Sequence, residues 1–117
     1  MIPKRLWKLL FWAAAVFAFV MGVIPHPPDV PGSPSDKVQH IVAFVTLAAL
    51  GALAYRRAKL RTLLLGLSLF GAVIELVQAI PALNRDSDVL DWLADTVAAA
   101  VVLAGFRWWR RHANARR

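Results

Sequence analysis

Four long apolar runs alternate with short polar segments along the chain. The runs cover about residues 6–24, 38–55, 60–80 and 89–109. Each run is close to the ~20 residues that a helix needs to cross a hydrocarbon core of ~30 Å, and the second run is at the short end of this range. The alternation of polar and apolar residues that a membrane barrel needs is not found in these runs. The pattern predicts an all-α fold, an integral membrane bundle of four transmembrane helices that forms a single domain over residues 1–117.

The composition favours a bilayer, rather than water, as the surroundings of these helices. Of the 117 residues, 59% are hydrophobic, which is above the usual share in soluble domains. A soluble chain of this length leaves too much of its surface exposed to bury so many apolar side chains. The lipid bilayer is therefore the first predicted partner. The absence of cysteine excludes disulfides and thiolate metal sites.

The first apolar run has a second interpretation. Lys4, Arg5 and Lys8 lie at its start, as positive residues do in a secretory signal peptide. However, the run is long, and residues 21–25 (Met-Gly-Val-Ile-Pro) are a poor substitute for a small-x-small cleavage site. These features favour a retained helix.

The basic residues predict which way the helices cross the membrane. The net charge is +7, and twelve of the fourteen Lys and Arg residues fall in three groups: Lys4, Arg5 and Lys8; Arg56, Arg57, Lys59 and Arg61; Arg107, Arg110, Arg111, Arg116 and Arg117. Positive residues concentrate on the cytoplasmic side of a membrane. We therefore expect both termini and the turn at 56–61 to be cytoplasmic, and the connections at 25–35 and 81–88 to be outside. In this interpretation the basic groups set topology and contact lipid headgroups, and nucleic acid is not an expected partner.

The acidic residues have the opposite distribution. All seven fall in the outer connections or in the outer part of a predicted helix: Asp29, Asp36, Glu75, Asp86, Asp88, Asp91 and Asp95. His40 shares this location. Ionisable side chains within a span are costly and usually face the interior of a bundle. The asymmetry predicts a polar layer near the outer surface.

Spacing along the helices brings these residues to one level. At a rise of 1.5 Å per residue, His40 lies roughly 8 Å into the second helix, and Glu75 lies about 9 Å before Pro81. Asp91 and Asp95 lie about 6 Å and 12 Å into the fourth helix by the same rise. Spacings of three and four residues place the polar groups of each helix on one face. The sequence predicts a shared polar or ligand-binding site composed of Asp36, Lys37, His40, Glu75, Gln78, Arg85, Asp88, Asp91 and Asp95.

Three sequence elements in this region have a recognisable pattern. Residues 36–40 read D-K-x-x-H, residues 71–78 read G-x-x-x-E-x-x-Q, and Arg85 precedes Asp91 by six positions. In order and spacing these elements, over about residues 36–98, resemble the VanZ-like family of small bacterial membrane proteins. Asp95 stands where that family usually has Asn, and Ala98 stands where it commonly has Gly. The resemblance implies a location in the bacterial cytoplasmic (inner) membrane and a link to the cell envelope, because founding members are associated with resistance to teicoplanin-type glycopeptide antibiotics.

Three classes of function fit these residues. His40 and the acids could bind a divalent metal or exchange protons in an enzyme, although no nucleophile elbow, H-E-x-x-H motif or phosphate-binding glycine loop is present. Carboxylates in spans also serve in proton-coupled transporters. A binding protein is the interpretation that we favour: Lys37 and Arg85 would hold an anionic envelope lipid or a glycopeptide-type ligand, with no cofactor and no metal. A structural ion-pair network that locks three helices is the further alternative.

Overall fold

The computed structural model describes residues 2–24, 36–80 and 89–115, and for residues 36–37 and 114–115 it describes the backbone alone. These ranges contain four helices and no strand. They are α1 (Lys4–Val23), α2 (Asp36–Ala54), α3 (Leu60–Gln78) and α4 (Val89–Ala115). The all-α prediction is confirmed.

The helix bounds follow the apolar runs closely, except at the end of α4. This helix continues to Ala115, beyond the predicted end at residue 109. Residues 107–115 include three Arg and two Ala, which are good helix formers although Arg is polar. The drop in hydropathy along α4 therefore indicates where the apolar surroundings end. It does not indicate where the helix ends.

Three of the four helices are long and apolar enough to cross a membrane. These are α1, α3 and the part of α4 from Val89 to Ala113, whereas α2 contributes a shorter apolar stretch, Val38–Ala54. Their outward faces are apolar too, since Phe17 is 67% exposed, Leu76 is 73% exposed and Val101 is 67% exposed. Apolar surface of this extent is compatible with a lipid bilayer. The prediction of four spans is thus met for three helices by length and composition.

The core lies between α2 and its two neighbours. Helix α2 packs on α1 and on α4, and α4 also packs on α3. Leu47 and Ala48 of α2 are fully buried against this core, as is Ala99 of α4. Alanine at these positions lets the helix backbones approach closely, which is the usual way that apolar helices associate in a membrane.

Contacts between the helix ends give the bundle an up-and-down order. Trp12 of α1 donates a hydrogen bond of 2.8 Å from its Nε1 to the hydroxyl of Tyr55, just after α2. Arg110 of α4 donates a hydrogen bond of 2.7 Å to the carbonyl oxygen of Arg56. The start of α1, the end of α2, the start of α3 and the end of α4 therefore share one end of the bundle. We call it the basic end, because it carries Lys8, Arg56, Arg57, Lys59, Arg61, Arg107, Arg110 and Arg111.

Candidate functional site

A polar cluster lies at the end of the bundle opposite the basic end. His40 of α2, Glu75 of α3 and Asp91 of α4 each offer one nitrogen or oxygen atom, and the three atoms all lie within 4.8 Å of one another. Each of these residues is partly buried. We refer to these three residues as the polar cluster.

The alternating direction of the helices explains why the cluster forms. His40 is about one turn after the start of α2, Glu75 is about one turn before the end of α3, and Asp91 is in the first turn of α4. In an up-and-down bundle the start of α2, the end of α3 and the start of α4 lie at one level. At 1.5 Å per residue, the three residues lie at similar distances from this end of the bundle, so they are close to one another in space.

Asp95 lies one turn deeper on α4, beside the imidazole of His40. Its Oδ2 is 3.8 Å from Nδ1 of His40, and the residue is only 3% exposed. Its other oxygen, Oδ1, is buried and has no hydrogen-bond partner among the described residues. A buried carboxylate oxygen without a partner is uncommon in proteins and calls for an explanation.

Gln78 closes the same end of the bundle against α1. It is 1% exposed, and its Nε2 donates a hydrogen bond of 2.8 Å to the carbonyl oxygen of Gly22. Its Oε1 has no partner within the described ranges. The sequence placed Gln78 among the ligand-binding residues, and the structure gives its amide a contact that joins α3 to α1.

Two of the predicted site residues, Arg85 and Asp88, lie outside the described residues, as do the connections at 25–35 and 81–88. Asp36 and Lys37 form the first residues of α2, and only their helical backbone is described.

A second set of polar contacts, between α3 and α4, was not expected from the sequence. Trp92 donates a hydrogen bond of 2.9 Å from its Nε1 to the carbonyl oxygen of Ser68, and the hydroxyls of Ser68 and Thr96 are 3.3 Å apart. The signal in the sequence was the presence of two hydroxyl residues, Ser68 and Thr96, within apolar runs. A tryptophan far from the predicted basic side, Trp92, was a further indication. Interhelical hydrogen bonds of this kind stabilise helix pairs in apolar surroundings.

The basic end encloses a separate cavity of about 580 Å³. Cationic side chains form much of its lining: Arg56, Lys59, Arg61, Arg107, Arg110 and Arg111. The guanidinium of Arg110 donates hydrogen bonds of 2.7 Å to the carbonyl oxygen of Arg56 and of 3.3 Å to that of Ala52. Basic pockets between helices are typical contact points for anionic lipid headgroups.

The chemistry of the polar cluster differs from that of the basic end. One imidazole and neighbouring carboxylates can accept hydrogen bonds from hydroxyl, amide or ammonium groups, can exchange protons, or can hold a cation. Partial exposure of all three residues leaves the cluster open to a ligand. An anion would need cationic side chains next to the cluster.

No protein family model matches the sequence, and no curated protein or solved structure shows a significant similarity to it. The resemblance to the VanZ-like family therefore depends on the three sequence elements alone, and it stays a prediction.

Proposed function

We propose that this chain is a VanZ-like, multi-pass protein of the bacterial cytoplasmic membrane that binds an anionic envelope lipid or a glycopeptide-type ligand at its polar cluster. One observation carries the proposal. His40, Glu75 and Asp91 come from three helices, yet their polar atoms lie within 4.8 Å of one another in a partly exposed cluster at the end of the bundle opposite the basic end.

The proposed orientation places the polar cluster on the outer side and both termini in the cytoplasm. Its support is the concentration of Lys and Arg at the opposite end of the bundle, because positive residues concentrate on the cytoplasmic side. Helix α2 would be the fourth span. Its 19 residues extend for about 28 Å, close to the thickness of the hydrocarbon core, and its neighbours α1 and α4 shield it from lipid.

The ligand chemistry follows from the charges near the cluster. Carboxylates of Glu75 and Asp91 accept hydrogen bonds from the hydroxyl and amide groups that sugars and peptides carry. The proposal assigns the anionic group of the ligand, a phosphate or carboxylate, to Lys37 and Arg85, which precede Val38 and Val89 in the sequence by one and four residues. The resemblance to the VanZ-like family supports a ligand of the envelope and a connection with resistance to antibiotics that act there.

Ligand-dependent thermal stabilisation tests this proposal. The detergent-purified protein is melted with and without teicoplanin, and separately with and without phosphatidylglycerol. We expect at least one of the two to raise the melting temperature, and we expect Glu75→Gln and Arg85→Ala to abolish that rise. Leu76→Ala is the matched control, because Leu76 is adjacent to Glu75 but lies on the exposed apolar face.

Two outcomes would count against ligand binding. The first is a melting temperature that neither probe raises. The second is a rise of equal size in the Glu75→Gln protein. If Arg85→Ala lowers the melting temperature without any ligand while both probes are inactive, the polar residues form a structural network.

The orientation has its own test, which the absence of native cysteine makes simple. Single cysteines at Ser33 and Ala58 are treated in intact cells with a reagent that does not cross the membrane. We expect labelling at position 33 and protection at position 58. The reverse pattern would invert the topology.

A further inference from the structure

The donor atoms of the polar cluster themselves suit a metal ion, whereas the anionic group of the proposed ligand depends on Lys37 and Arg85. One imidazole and two carboxylates approach one another from three helices. Imidazole is a good ligand for zinc and similar transition metals, whereas magnesium and calcium favour sites made of oxygen alone. We infer that His40, Glu75 and Asp91 bind a divalent transition-metal cation such as Zn²⁺, with Asp95 positioning His40. This departs from the sequence-based expectation of no metal.

The spacing of the donor atoms is close to what a metal requires. Ligand atoms at 2.0–2.2 Å from a tetrahedral zinc ion lie roughly 3.4 Å from one another. In this structure the three atoms lie within 4.8 Å of one another. The difference between these separations is at most about 1.4 Å, a distance that side-chain rotation can cover, since His, Glu and Asp each have at least two rotatable bonds.

Asp95 provides an observation that the cluster alone does not give. The residue is only 3% exposed, and its Oδ2 lies 3.8 Å from Nδ1 of His40. Histidines that bind metal through one ring nitrogen commonly present the other to a carboxylate, which fixes the orientation of the ring. With Nδ1 facing Asp95, Nε2 is the nitrogen available to the ion.

Charge also favours a cation at this place. Carboxylates of Glu75, Asp91 and Asp95 surround His40, and Oδ1 of Asp95 has no hydrogen-bond partner within the described part of the chain. A divalent ion among these groups offsets their mutual repulsion, which is stronger in apolar surroundings than in water. Three protein ligands leave one coordination position open, as in sites where a metal also binds water or an exogenous molecule. The inference concerns the ion alone and does not require the envelope ligand proposed above.

Direct metal binding tests the inference. The full chain, purified in detergent without an affinity tag and stripped with a chelator, is titrated with ZnCl₂ in a calorimeter. We expect a single ion per chain and weaker binding of MgCl₂. His40→Gln, Glu75→Gln and Asp91→Asn should each weaken Zn²⁺ binding by about tenfold or more. His112→Gln is the matched control, because His112 lies at the basic end and stacks on Trp108.

Asp95→Asn separates a positioning role from a purely structural one. We expect it to weaken Zn²⁺ binding about 10- to 100-fold while a single ion per chain still binds at saturation. It should also shift the visible absorption of the Co²⁺-loaded protein, since ring orientation changes the ligand field. Loss of stability with unchanged Zn²⁺ affinity and an unchanged Co²⁺ spectrum would show that Asp95 does not position a ligand.

Three results would overturn the metal site. They are no Zn²⁺ binding by the wild-type chain, equal affinity in the His40→Gln and wild-type proteins, and loss of binding in the His112→Gln protein. The Co²⁺ spectrum is recorded on the wild-type chain. It therefore tests for the metal site even if a variant does not fold. A spectrum identical to that of Co²⁺ in buffer would contradict the inference.

Discussion

Gln78 donates a hydrogen bond of 2.8 Å from its Nε2 to the carbonyl oxygen of Gly22, and this bond joins the end of α3 to the end of α1. Gly22 lies in the last turn of α1, where the backbone carbonyls have no partner within their own helix. A buried polar group without a partner is costly in apolar surroundings. The Gln78 amide therefore stabilises the packing of α1 against the helices that carry the polar cluster.

Replacing this amide should loosen α1. We expect Gln78→Met, which keeps the length of the side chain, to lower the free energy of unfolding by about 1–2 kcal/mol, because the carbonyl of Gly22 loses its buried donor. Unfolding of the detergent-solubilised protein by SDS measures this change. Leu76→Met, on the exposed face of the same helix, should have little effect. Equal stability of the two variants would show that the hydrogen bond contributes nothing net.

Gly71 lies where α3 packs against side chains of both α2 and α4. A Cβ at this position would lie 3.1 Å from Cζ of Phe44 on α2 and 3.3 Å from Cδ1 of Trp92 on α4. We expect Gly71→Ala to lower the melting temperature, because the two rings have to move apart. Gly66→Ala is the control: no described atom outside its own helix lies within 4 Å of that Cβ, and alanine favours helix by about 1 kcal/mol over glycine. Gly66→Ala should leave the melting temperature unchanged or raise it, and a similar decrease in both variants would contradict the packing.

The indole of Trp92 should matter for its hydrogen bond as well as for its size. Its Nε1 donates to the carbonyl oxygen of Ser68, which links α4 to α3. Trp92→Phe should lower the free energy of unfolding by about 1 kcal/mol or more, since it removes the donor and part of the ring. The same substitution at Trp108, which is exposed at the basic end, is the comparison and should change stability less. A larger effect at Trp108 would be inconsistent with this contact.

At the basic end, Arg110 should stabilise the end of α2. Its guanidinium donates to the carbonyl oxygen of Ala52, in the last turn of α2, and to that of Arg56, in the turn that follows. We expect Arg110→Gln to lower the melting temperature and Arg111→Gln, at an exposed neighbour, to have a smaller effect. Arg110→Lys should restore only part of the stability, because a single ammonium group does not reproduce the two-pronged geometry of guanidinium. Full rescue by Lys would indicate that charge alone is responsible.

The apolar pattern predicted the helices well because each run has to match the thickness of its surroundings. It was least informative at α4, where Arg107 and the residues after it continue the helix although they are polar. It also did not distinguish α2 from its neighbours. Helix α2 is central, with Phe44, Leu47 and Ala52 all buried, but its apolar stretch is the shortest. Hydropathy reports how apolar a run is and carries no information on which helices enclose it.

Periodicity predicted the polar layer because spacing along a helix converts directly into level and face. The same argument could not predict the hydrogen-bond partners of individual side chains. Gln78 donates to a backbone carbonyl, a group that every residue possesses, so Gly22 could not be identified from the sequence as its acceptor. The depth of Asp95 depends on how closely α2 and α4 pack, which is set by alanines whose contacts cannot be assigned from one sequence.

The cluster draws its side chains from three helices, and this has a consequence for biosynthesis. Translation runs from α1 to α4, so His40 and Glu75 reach the membrane before Asp91 and Asp95 do. Inserting a charged residue such as Asp near the centre of a helix costs about 2.5–3.5 kcal/mol, whereas each leucine contributes about −0.3 to −0.6 kcal/mol. Helix α3 carries seven leucines, whose combined contribution of about −2 to −4 kcal/mol is of the same size as that cost. Three of them, Leu65, Leu69 and Leu76, are exposed and contribute little to the folded core, yet they supply about −1 to −2 kcal/mol of this sum and so help Glu75 to enter the bilayer ahead of its neighbours.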